Sequence, residues 1–389
     1  MISRYIINQL TQAAREFAAV AIVGPRQSGK TTLVQFVFPN HRYVSLEDFD
    51  MRVYAQADPR GFLHEYSGEA GIILDEIQHA PQLLSYIQTI IDREKKMGYF
   101  IVTGSQNLLV NEAITQTLAG RLATLTLFPL STHELQQNNL LTPTIEEIIV
   151  KGCYPRIYAD DVSFVRWYAN YIRGYIERDV RELKSISDLH LFQTFLALCA
   201  GRTGQILNLV SLANDCGIDH KTARAWISIL EATYVVFLLH PYYKNFGKRL
   251  IKAPKLYFVD TGIACSLLNI KTTGELYSHY LRGGLIESYI IADFFKQYYN
   301  HDQRPALYFW RDSTGNEVDC IMEKALSIIA IEIKGGKTVH GDFFKSFAYL
   351  KELKQFPPSQ NIVVYTGTEN QKWHEVQIIN WQRAGNLIG

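Results

Sequence analysis

The stretch Gly24-Pro25-Arg26-Gln27-Ser28-Gly29-Lys30-Thr31-Thr32 matches the pattern G-x-x-x-x-G-K-[ST] at every fixed position. The apolar run Phe17 to Val23 before it predicts a buried strand, and Thr32 to Val37 after it predicts a helix. In this context the loop's backbone N–H groups and the helix dipole bind phosphate. We expect the whole stretch to bind the nucleotide, with Lys30 on the β- and γ-phosphates and the Thr31 hydroxyl on Mg²⁺.

Composition sets the wider limits. A chain of 389 residues is too long for one ordinary core, and 47% hydrophobic with 20% charged residues is typical of a globular protein. A net charge of +1 means that any nucleic-acid contact must come from local patches. The five cysteines form no C-x-x-C pair, which argues against a zinc cluster or disulfide framework and favours the cytoplasm. The sequence has neither an apolar run long enough for a membrane span nor a signal-peptide core, so we expect no membrane association.

The second half of a nucleotide site is predicted at Gly71 to Glu76, an apolar strand that ends in two carboxylates. In nucleotide hydrolases such a pair holds Mg²⁺ and polarises the attacking water. We therefore assign Asp75 to the metal, through water, and Glu76 to catalysis. The competing interpretation is an acidic strand end without a role, and the preceding P-loop makes it the weaker one.

Two further catalytic candidates are polar residues at strand ends. Tyr99 to Gln106 is a strand with a polar end, and insertion of this strand beside the P-loop strand would bring Ser105 and Gln106 to the γ-phosphate. The alternative is an ordinary Gly-Ser turn. Arg121, which follows Gly120, is either a solvated turn residue or a finger that enters a neighbouring subunit's site.

From residue 131 onward the pattern changes from strands to helices. Residues 136–204 predict a helical lid or linker, in which Arg156 is either a second sensor or a surface arginine. Residues 205–265 give helix, Gly217, helix, then a strand and a basic hairpin, which is typical of a winged helix. The lysines and arginine of the hairpin would contact phosphates: Lys244, Lys248, Arg249, Lys252 and Lys255. The alternative is a winged helix used for packing or subunit contacts.

The last hundred or so residues carry a second candidate site. Glu332 and Lys334 lie two apart on a predicted strand and share one face, Asp319 leads the neighbouring strand, and Glu287 approaches from a helix. Three carboxylates would bind one or two Mg²⁺ ions, and Lys334 would stabilise a hydroxide or a phosphate charge. The alternatives are solvent-facing strand charges, or a nuclease fold that only binds DNA or a partner.

Together these motifs resemble the AAA-type P-loop ATPase family of archaea and bacteria. The resemblance covers nearly the whole chain and rests on the following segments: Gly24 to Thr32, Leu74 to Gln78, Thr103 to Gln106, Ala119 to Arg121, Tyr175 to Val180, Asp260 to Gly262, Glu317 to Asp319 and Ile331 to Lys334. Gln78 has no role in this assignment.

The resemblance implies an α/β protein: a P-loop ATPase core with a parallel sheet at 1–135, a helical lid at 136–204, a winged helix at 205–265, and a restriction-endonuclease-like α/β domain of the PD-(D/E)xK type at 275–389. It implies Mg-ATP hydrolysis through Lys30, Thr31, Asp75 and Glu76. Its nuclease-like set is Glu287, Asp319, Glu332 and Lys334, with Glu287, Asp319 and Glu332 as metal ligands.

The function expected from the sequence is ATP hydrolysis coupled to binding or remodelling of duplex or branched DNA, with or without ATP-gated cleavage. The expected assembly is a homo-oligomer, such as a hexameric ring. The alternative is a regulatory ATPase switch whose C-terminal domains bind a protein partner and do not cleave DNA.

Overall fold

The structure is a computed structural model and describes residues 1–105, 118–176, 188–242, 253–324, 327–352 and 358–388. The strands are β1 Ala19–Val23, β2 Arg42–Ser45, β3 Ile72–Asp75, β4 Phe100–Gly104, β5 Leu122–Thr126, β6 Gln205–Ile206, β7 Val236–Leu239, β8 Lys255–Phe258, β9 Leu307–Arg311, β10 Glu317–Lys324, β11 Ser327–Lys334, β12 Gln360–Tyr365, β13 Gln371–Trp373 and β14 Val376–Asn380.

The described α-helices are α1 Ile7–Glu16, α2 Lys30–Val37, α3 Phe49–Ala57, α4 Pro59–Tyr66, α5 Leu83–Glu94, α6 Thr132–Gln137, α7 Ile145–Lys151, α8 Pro155–Ala159, α9 Phe164–Tyr171, α10 Leu189–Ala200, α11 Leu209–Cys216, α12 His220–Ala232, α13 Thr261–Leu267, α14 Thr273–Ser278, α15 Arg282–Asn300 and α16 Lys345–Glu352. None of these helices has the length and apolar character needed to cross a membrane.

The first sheet has five parallel strands in the order β2-β3-β4-β1-β5. All residues of β1, β3 and β4 are buried, which is why these strands read in the sequence as continuous apolar runs. The parallel sheet predicted from the sequence is confirmed. Strand β4 lies between β1 and β3, so the segments that follow these three strands leave the sheet side by side at one edge.

A helical region follows the first sheet. Helices α6 to α9 are short, and α9 continues into a π-helical turn at Ile172–Ile176. A buried aromatic cluster holds α8 and α9 together, because Tyr154 packs against Trp167 and Tyr171, with ring centroids 4.7 and 4.8 Å away. Residues 177–187, which include part of the predicted helix Trp167 to Leu183, lie outside the described residues.

Helices α11 and α12 pack beside a small antiparallel sheet in the order β6-β8-β7. Gly217 separates the helices with a φ of 73°, and the Asp219 carboxylate accepts from the N–H groups of Lys221 and Thr222 and so caps α12. Four of the five basic hairpin residues fall in 243–252, outside the described residues; the fifth, Lys255, begins β8.

The C-terminal sheet is mixed, in the order β13-β14-β12-β11-β10-β9. Strands β9, β10 and β11 form an antiparallel meander, and β12 and β14 run parallel to β11. In chain order this domain is a helix, α15, three antiparallel strands, a second helix, α16, and then a parallel strand. Helix α15 buries most of its length because it is packed between this sheet and the rest of the chain.

Helix α15 also fixes the C-terminal domain to the helical region. The N–H of Thr132 donates to Asp293 Oδ1 at 2.7 Å, and the hydroxyls of Thr132 and Tyr289 lie 2.8 Å apart. Helix α15 begins with Arg282, which pairs with Glu146 on α7. These contacts place the first turns of α15, which include Glu287, at a defined position relative to the ATPase core.

Candidate functional site

The P-loop joins β1 to α2. Gly24 and Gly29 have φ values of 145° and 96°, and a Cβ on Gly24 would lie 2.2 Å from the Leu127 carbonyl oxygen, so the loop requires glycine there. Lys30 Nζ donates to the carbonyl oxygens of Gly24 and Pro25, both at 2.9 Å. The ammonium therefore lies over the loop, where a bound phosphate would compete with these carbonyls for it.

Asp75, at the end of β3, faces the first turn of α2. The Thr31 hydroxyl donates to both Asp75 oxygens at 3.0 Å, and the hydroxyls of Tyr43 and Thr103 also donate to this carboxylate. Burial raises the pKa of Asp75, and the neighbouring Glu76 raises it further, although these hydroxyls oppose the shift. A hydroxyl and a carboxylate side by side are donors that Mg²⁺ prefers, so Thr31 and Asp75 fit the predicted metal site.

Glu76 lies next to this pair in a left-handed conformation with a φ of 59°. Burial alone would raise the pKa of Glu76, but Lys30, the Gln78 amide and Arg26 outweigh it and hold the pKa below its ordinary value. The carboxylate is therefore ionised and able to accept a proton or orient a water molecule.

The end of β4 completes this edge of the sheet. Ser105 Oγ accepts from Gln78 Nε2 at 3.1 Å, and the same amide donates to Glu76. Thr103 Oγ1 accepts from the backbone N–H of Glu76 at 3.0 Å while it donates to Asp75. The structure thus places Ser105 beside the catalytic candidate Glu76. Gln106, predicted with Ser105, lies outside the described residues.

A cavity of about 460 Å³ opens in front of these groups. It is lined by the P-loop and by residues from four other segments: Met1, Ile2, Arg4, Arg26, Gln27, Gly29, Lys30, Thr31, Thr32, Glu47, Glu76, Pro155, Arg156, Ala159 and Asp160. Arg156 reaches the cavity from α8 and pairs with Asp160, with 3.2 Å between Nε and Oδ2. The predicted second-sensor candidate therefore lies on the nucleotide cavity, although more than half of its side chain is exposed.

Arg121 lies elsewhere. It precedes β5, and β5 runs parallel to β1, so Arg121 is at the amino edge of the sheet, opposite the P-loop. Its guanidinium pairs with Asp92, with 2.5 Å between Nε and Oδ1. Arg121 does not contribute to the site of its own chain, and its role as a finger toward a neighbouring subunit stays a prediction.

Several residues of this site were missed by the sequence analysis. Arg4 is buried and donates to Glu134 Oε1 at 2.9 Å, to the P-loop carbonyl of Ser28 at 2.8 Å and to the Phe128 carbonyl at 2.6 Å. Tyr43, Thr103 and Gln78 were also missed. A polar residue at the end of a buried strand was the available signal for Thr103, whereas Arg4 contacts the loop only through the tertiary fold.

The second candidate site lies where β10, β11 and α15 meet. It contains four carboxylates, which we call the acidic cluster: Glu287, Glu317, Asp319 and Glu332. One oxygen from each of Glu287, Glu317 and Asp319 lies within 4.8 Å of the others. Asp319 Oδ2 accepts from the Ile333 N–H at 2.8 Å, and Lys334 Nζ pairs with Glu332. The structure therefore brings together the four predicted residues and adds Glu317.

Two side chains of β8 also enter the acidic cluster. Lys255 Nζ donates to Glu287 Oε1 at 2.8 Å and pairs with Glu317, and the Tyr257 hydroxyl donates to Glu287 Oε1 at 2.5 Å. The prediction that Lys255 contacts DNA phosphate is wrong, because its side chain is only 2% exposed and is surrounded by carboxylates. The sequence placed Lys255 in a basic hairpin and gave no sign of this packing.

Burial dominates the titration of the acidic cluster. It raises the pKa of Glu332 to about 8, and Asp319 adds to the shift, although Lys334 opposes it. Burial likewise raises the pKa of Glu287 to about 7 against the effect of Lys255. The pKa of Lys255 itself is raised, since the three nearest carboxylates outweigh the effect of burial, and the group stays an ammonium.

The sheet order, the P-loop and the Thr31, Asp75 and Glu76 constellation define an α/β P-loop ATPase fold. Residues 16–136 match the model of a family described as an AAA domain, which supports ATPase activity. Residues 142–274 and 282–384 match two other families, each described as a domain of unknown function.

Among curated proteins, the chain is similar to an uncharacterized protein of Mycobacterium tuberculosis, with 26% identity over 85% of this chain and 73% of that protein. An uncharacterized protein of Methanocaldococcus jannaschii is 22% identical over 93% of this chain and 83% of its own length. Among solved structures, a Walker-type ATPase of Pyrococcus abyssi covers 69% of this chain and 96% of its own, with 14% identity and a TM-score of 0.46. The Thermotoga maritima RuvB Holliday junction branch migration motor covers 60% of this chain and 88% of its own, with 17% identity and a TM-score of 0.31.

Proposed function

We propose that this protein hydrolyses Mg-ATP and uses the cycle to change how its C-terminal domains hold DNA. The observation that carries the first half is the group at the carboxyl edge of the first sheet. There the Thr31 hydroxyl contacts Asp75 beside the ionised Glu76, in front of the cavity that the P-loop lines.

Each residue has a role in this chemistry. Backbone N–H groups of the loop and the Lys30 ammonium would bind the phosphates. Thr31 and Asp75 would hold Mg²⁺, which neutralises charge on the phosphates when bound. Glu76 would orient the attacking water and accept its proton, and Ser105 lies where it can hydrogen-bond the same water through the Gln78 amide network. Arg156 would contact the nucleotide from α8.

The DNA half of the proposal concerns residues 205–265, as a winged helix. Helix α12 presents His220, Lys221 and Arg224 as exposed side chains, so one of its faces is available for phosphate or base contacts. Asp219 and Glu231 at the ends of this helix oppose a phosphate-facing role, so the positive part of the face is short. Duplex or branched DNA and a homo-oligomeric ring, with Arg121 as a finger between subunits, belong to this proposal.

The C-terminal domain supports two versions of the function. Its order of helix, antiparallel meander, helix and parallel strand, together with the acidic cluster and Lys334, supports a nuclease-like domain of the PD-(D/E)xK type and ATP-gated cleavage. The second candidate is a regulatory switch that binds a protein partner and does not cleave DNA. The Lys255 ammonium within the acidic cluster favours this second candidate, because it occupies the cluster that cleavage would need.

The test is steady-state ATP turnover with Mg²⁺, in the presence and absence of duplex, single-stranded and branched DNA, at low and moderate salt. Stimulation by one DNA form that weakens as salt rises would support the DNA function, since phosphate contacts release counterions. Turnover that ignores every DNA form would reject coupling to DNA and favour the partner-binding switch.

Two variants test the assignment of the nucleotide site, whether the protein binds DNA or a protein partner. Lys30→Ala should lose nucleotide binding or turnover, and Glu76→Gln should bind ATP without splitting it. Normal turnover in either purified variant would reject the assigned nucleotide site. If cleavage is detected on the stimulating DNA, Asp319→Ala and Lys334→Ala should each abolish it, and cleavage that persists would place the nuclease elsewhere.

A further inference from the structure

The acidic cluster already contains a cation, which comes from another part of the chain. Lys255 on β8 lies 2.8 Å from Glu287 Oε1 and also pairs with Glu317, and its side chain is 2% exposed. A buried carboxylate without a counter-charge is strongly disfavoured, so it either takes up a proton or pairs with a cation. In this conformation the ammonium of β8 provides it.

The geometry of the cluster suits a different cation equally well. Glu287, Glu317 and Asp319 come from one helix and one strand, and each offers an oxygen within 4.8 Å of the other two. Divalent ions hold oxygen ligands at about 2.0–2.6 Å, which places neighbouring ligands about 3–5 Å apart. The three carboxylates are therefore spaced as ligands of one Mg²⁺ or Mn²⁺ ion.

A second feature of the cluster concerns Glu332, its fourth carboxylate. The Glu332 side chain is 5% exposed, and its Oε1 makes no hydrogen bond of ordinary geometry to the described residues, although Ser346 is near enough to affect its titration. Its other oxygen pairs with Lys334. This buried carboxylate oxygen offers a further ligand atom at the edge of the same cluster.

We propose that Lys255 closes a divalent-cation site built from the acidic cluster. Metal and ammonium compete for the same oxygens, so Mg²⁺ or Mn²⁺ binds only when β8 withdraws Lys255 from Glu287 and Glu317. The C-terminal domain is consequently metal-free whenever β8 is packed against α15. This inference does not depend on ATP hydrolysis, because it concerns a site that the nucleotide does not contact.

The test is a titration of the full chain with Mn²⁺ in the absence of nucleotide. The electron paramagnetic resonance signal of free Mn²⁺ gives the amount that the protein has bound. The measured quantity is the Mn²⁺ bound in a manner that depends on Asp319, obtained by comparing each protein with the same protein carrying Asp319→Asn. This comparison removes any ion held at Thr31 and Asp75. We expect Lys255→Met to bind one Asp319-dependent Mn²⁺ at least tenfold more tightly than the unmodified chain.

Two control variants define what the removal of a lysine does by itself. Lys255→Arg keeps a positive charge and should bind Mn²⁺ as weakly as the unmodified chain. Lys351→Met removes a lysine from an exposed pair with Glu375, in which both side chains are about four-fifths exposed, and should leave Mn²⁺ binding unchanged. Equal Asp319-dependent affinity in the unmodified chain and Lys255→Met would overturn the closing role, and no such binding in folded Lys255→Met would overturn the site.

A second measurement uses only the unmodified protein and so does not depend on the folding of a variant. Acetic anhydride labels exposed amines, and mass spectrometry reports the labelled fraction of Lys255. We expect Lys255 to be protected without metal and to be labelled at least severalfold faster when Mn²⁺ is raised to saturate the Asp319-dependent site. Saturation of that site with no change in Lys255 labelling would show that metal and ammonium do not compete.

Discussion

At the scale of single residues, Asp75, which we propose to hold Mg²⁺, accepts hydrogen bonds from hydroxyl groups of three elements. Thr31, Tyr43 and Thr103 all donate to Asp75, and Thr103 also accepts from the N–H of Glu76. Thr103 therefore links the two acidic residues at this strand end, because it contacts the Asp75 carboxylate and the Glu76 backbone. In the proposed function its hydroxyl sets the position of Glu76, as general base, relative to the Mg²⁺ ligand Asp75.

We expect Thr103→Val to lower ATP turnover about tenfold or more and to change ATP affinity much less. The variant keeps the shape of the side chain, leaves the Glu76 N–H unpaired and removes one of the three hydroxyls that donate to Asp75. A loss of about 1.4 kcal/mol of transition-state stabilisation gives a tenfold loss of rate. The check is kcat together with the Kd of a fluorescent ATP analogue. Thr103→Ser retains the hydroxyl and is the matched control, and unchanged turnover in Thr103→Val would exclude the positioning role.

Arg4 is the second residue for which the structure predicts the direction of a change, here in the free energy of unfolding. Burial alone would raise the pKa of Glu134, but Arg4 and backbone N–H groups hold the pKa below its ordinary value, so the pair contributes stability at neutral pH that is lost as pH falls. Arg4→Ala leaves a buried carboxylate unpaired and should lower the free energy of unfolding by about 3–5 kcal/mol at pH 7.

The Arg4 prediction is measured by chemical denaturation at pH 7 and at pH 4, where protonation of Glu134 in the variant should narrow the difference. Arg93→Ala, which breaks an exposed pair with Glu94, is the control and should change stability little. If both substitutions lower the free energy of unfolding equally, the buried Arg4–Glu134 pair stabilises the fold no more than an exposed ion pair does.

At the scale of elements, α15 carries the interface between the ATPase core and the C-terminal domain. Asp293 accepts from the Thr132 N–H and from Gln297, and burial raises the pKa of Asp293 above its ordinary value of 3.8, although these donors and Lys296 oppose the shift. The folded state therefore holds this proton more tightly than the unfolded state. The free energy of unfolding should fall as pH rises from the ordinary value through the raised one.

Asp293→Asn should remove this part of the pH dependence, so its stability relative to the unmodified chain should improve as pH rises. Asp293→Ala should lose the same pH dependence but be about 1–3 kcal/mol less stable than Asp293→Asn at every pH, because the buried Thr132 N–H loses its acceptor. Thermal unfolding between pH 4 and pH 8 distinguishes the two. A parallel pH profile for Asp293→Asn and the unmodified chain would show that Asp293 does not titrate differently on folding.

Elements also show what the sequence could and could not predict. The P-loop and the β3 carboxylates were predictable, because each is a contiguous motif whose neighbours in the chain decide its structure. The position of β4 was predictable from the strand order that P-loop folds share. The partners Arg4 and Glu134 are separated by 130 residues, and Lys255 and Glu287 by 32. Such contacts leave no local pattern, and for Lys255 the local pattern of a basic hairpin indicated the opposite environment.

At the scale of the whole molecule, α9 contacts the P-loop of the nucleotide site and also the segment that follows β8, the strand that carries Lys255 into the acidic cluster. The Tyr171 hydroxyl donates to the P-loop carbonyl of Arg26 at 3.3 Å, and one turn earlier the Tyr168 hydroxyl donates to Asp260 Oδ1 at 2.6 Å. Asp260 lies two residues after the end of β8 and caps α13. A short hydrogen-bonded route therefore runs from the nucleotide loop to the strand that carries Lys255.

We expect a non-hydrolysable ATP analogue to change the hydrogen exchange of the β8 amides, and Tyr168→Phe to abolish this change while it preserves analogue binding. The phosphates would take Lys30 from the carbonyls of Gly24 and Pro25, and the loop would shift against α9. Contiguous contacts alone do not establish coupling, so the double comparison, with and without analogue in both proteins, is the measurement.

Tyr158→Phe is the matched control for this route. Tyr158 belongs to the same region, but its hydroxyl donates to the Gly152 carbonyl and not to Asp260, so its removal should leave the response of β8 intact. If the analogue does not change the hydrogen exchange of the β8 amides in the unmodified chain, the nucleotide site and the acidic cluster are not coupled. If both variants lose the response, the cause is a general loosening of α8 and α9. A route through the Tyr168–Asp260 hydrogen bond predicts loss in Tyr168→Phe alone.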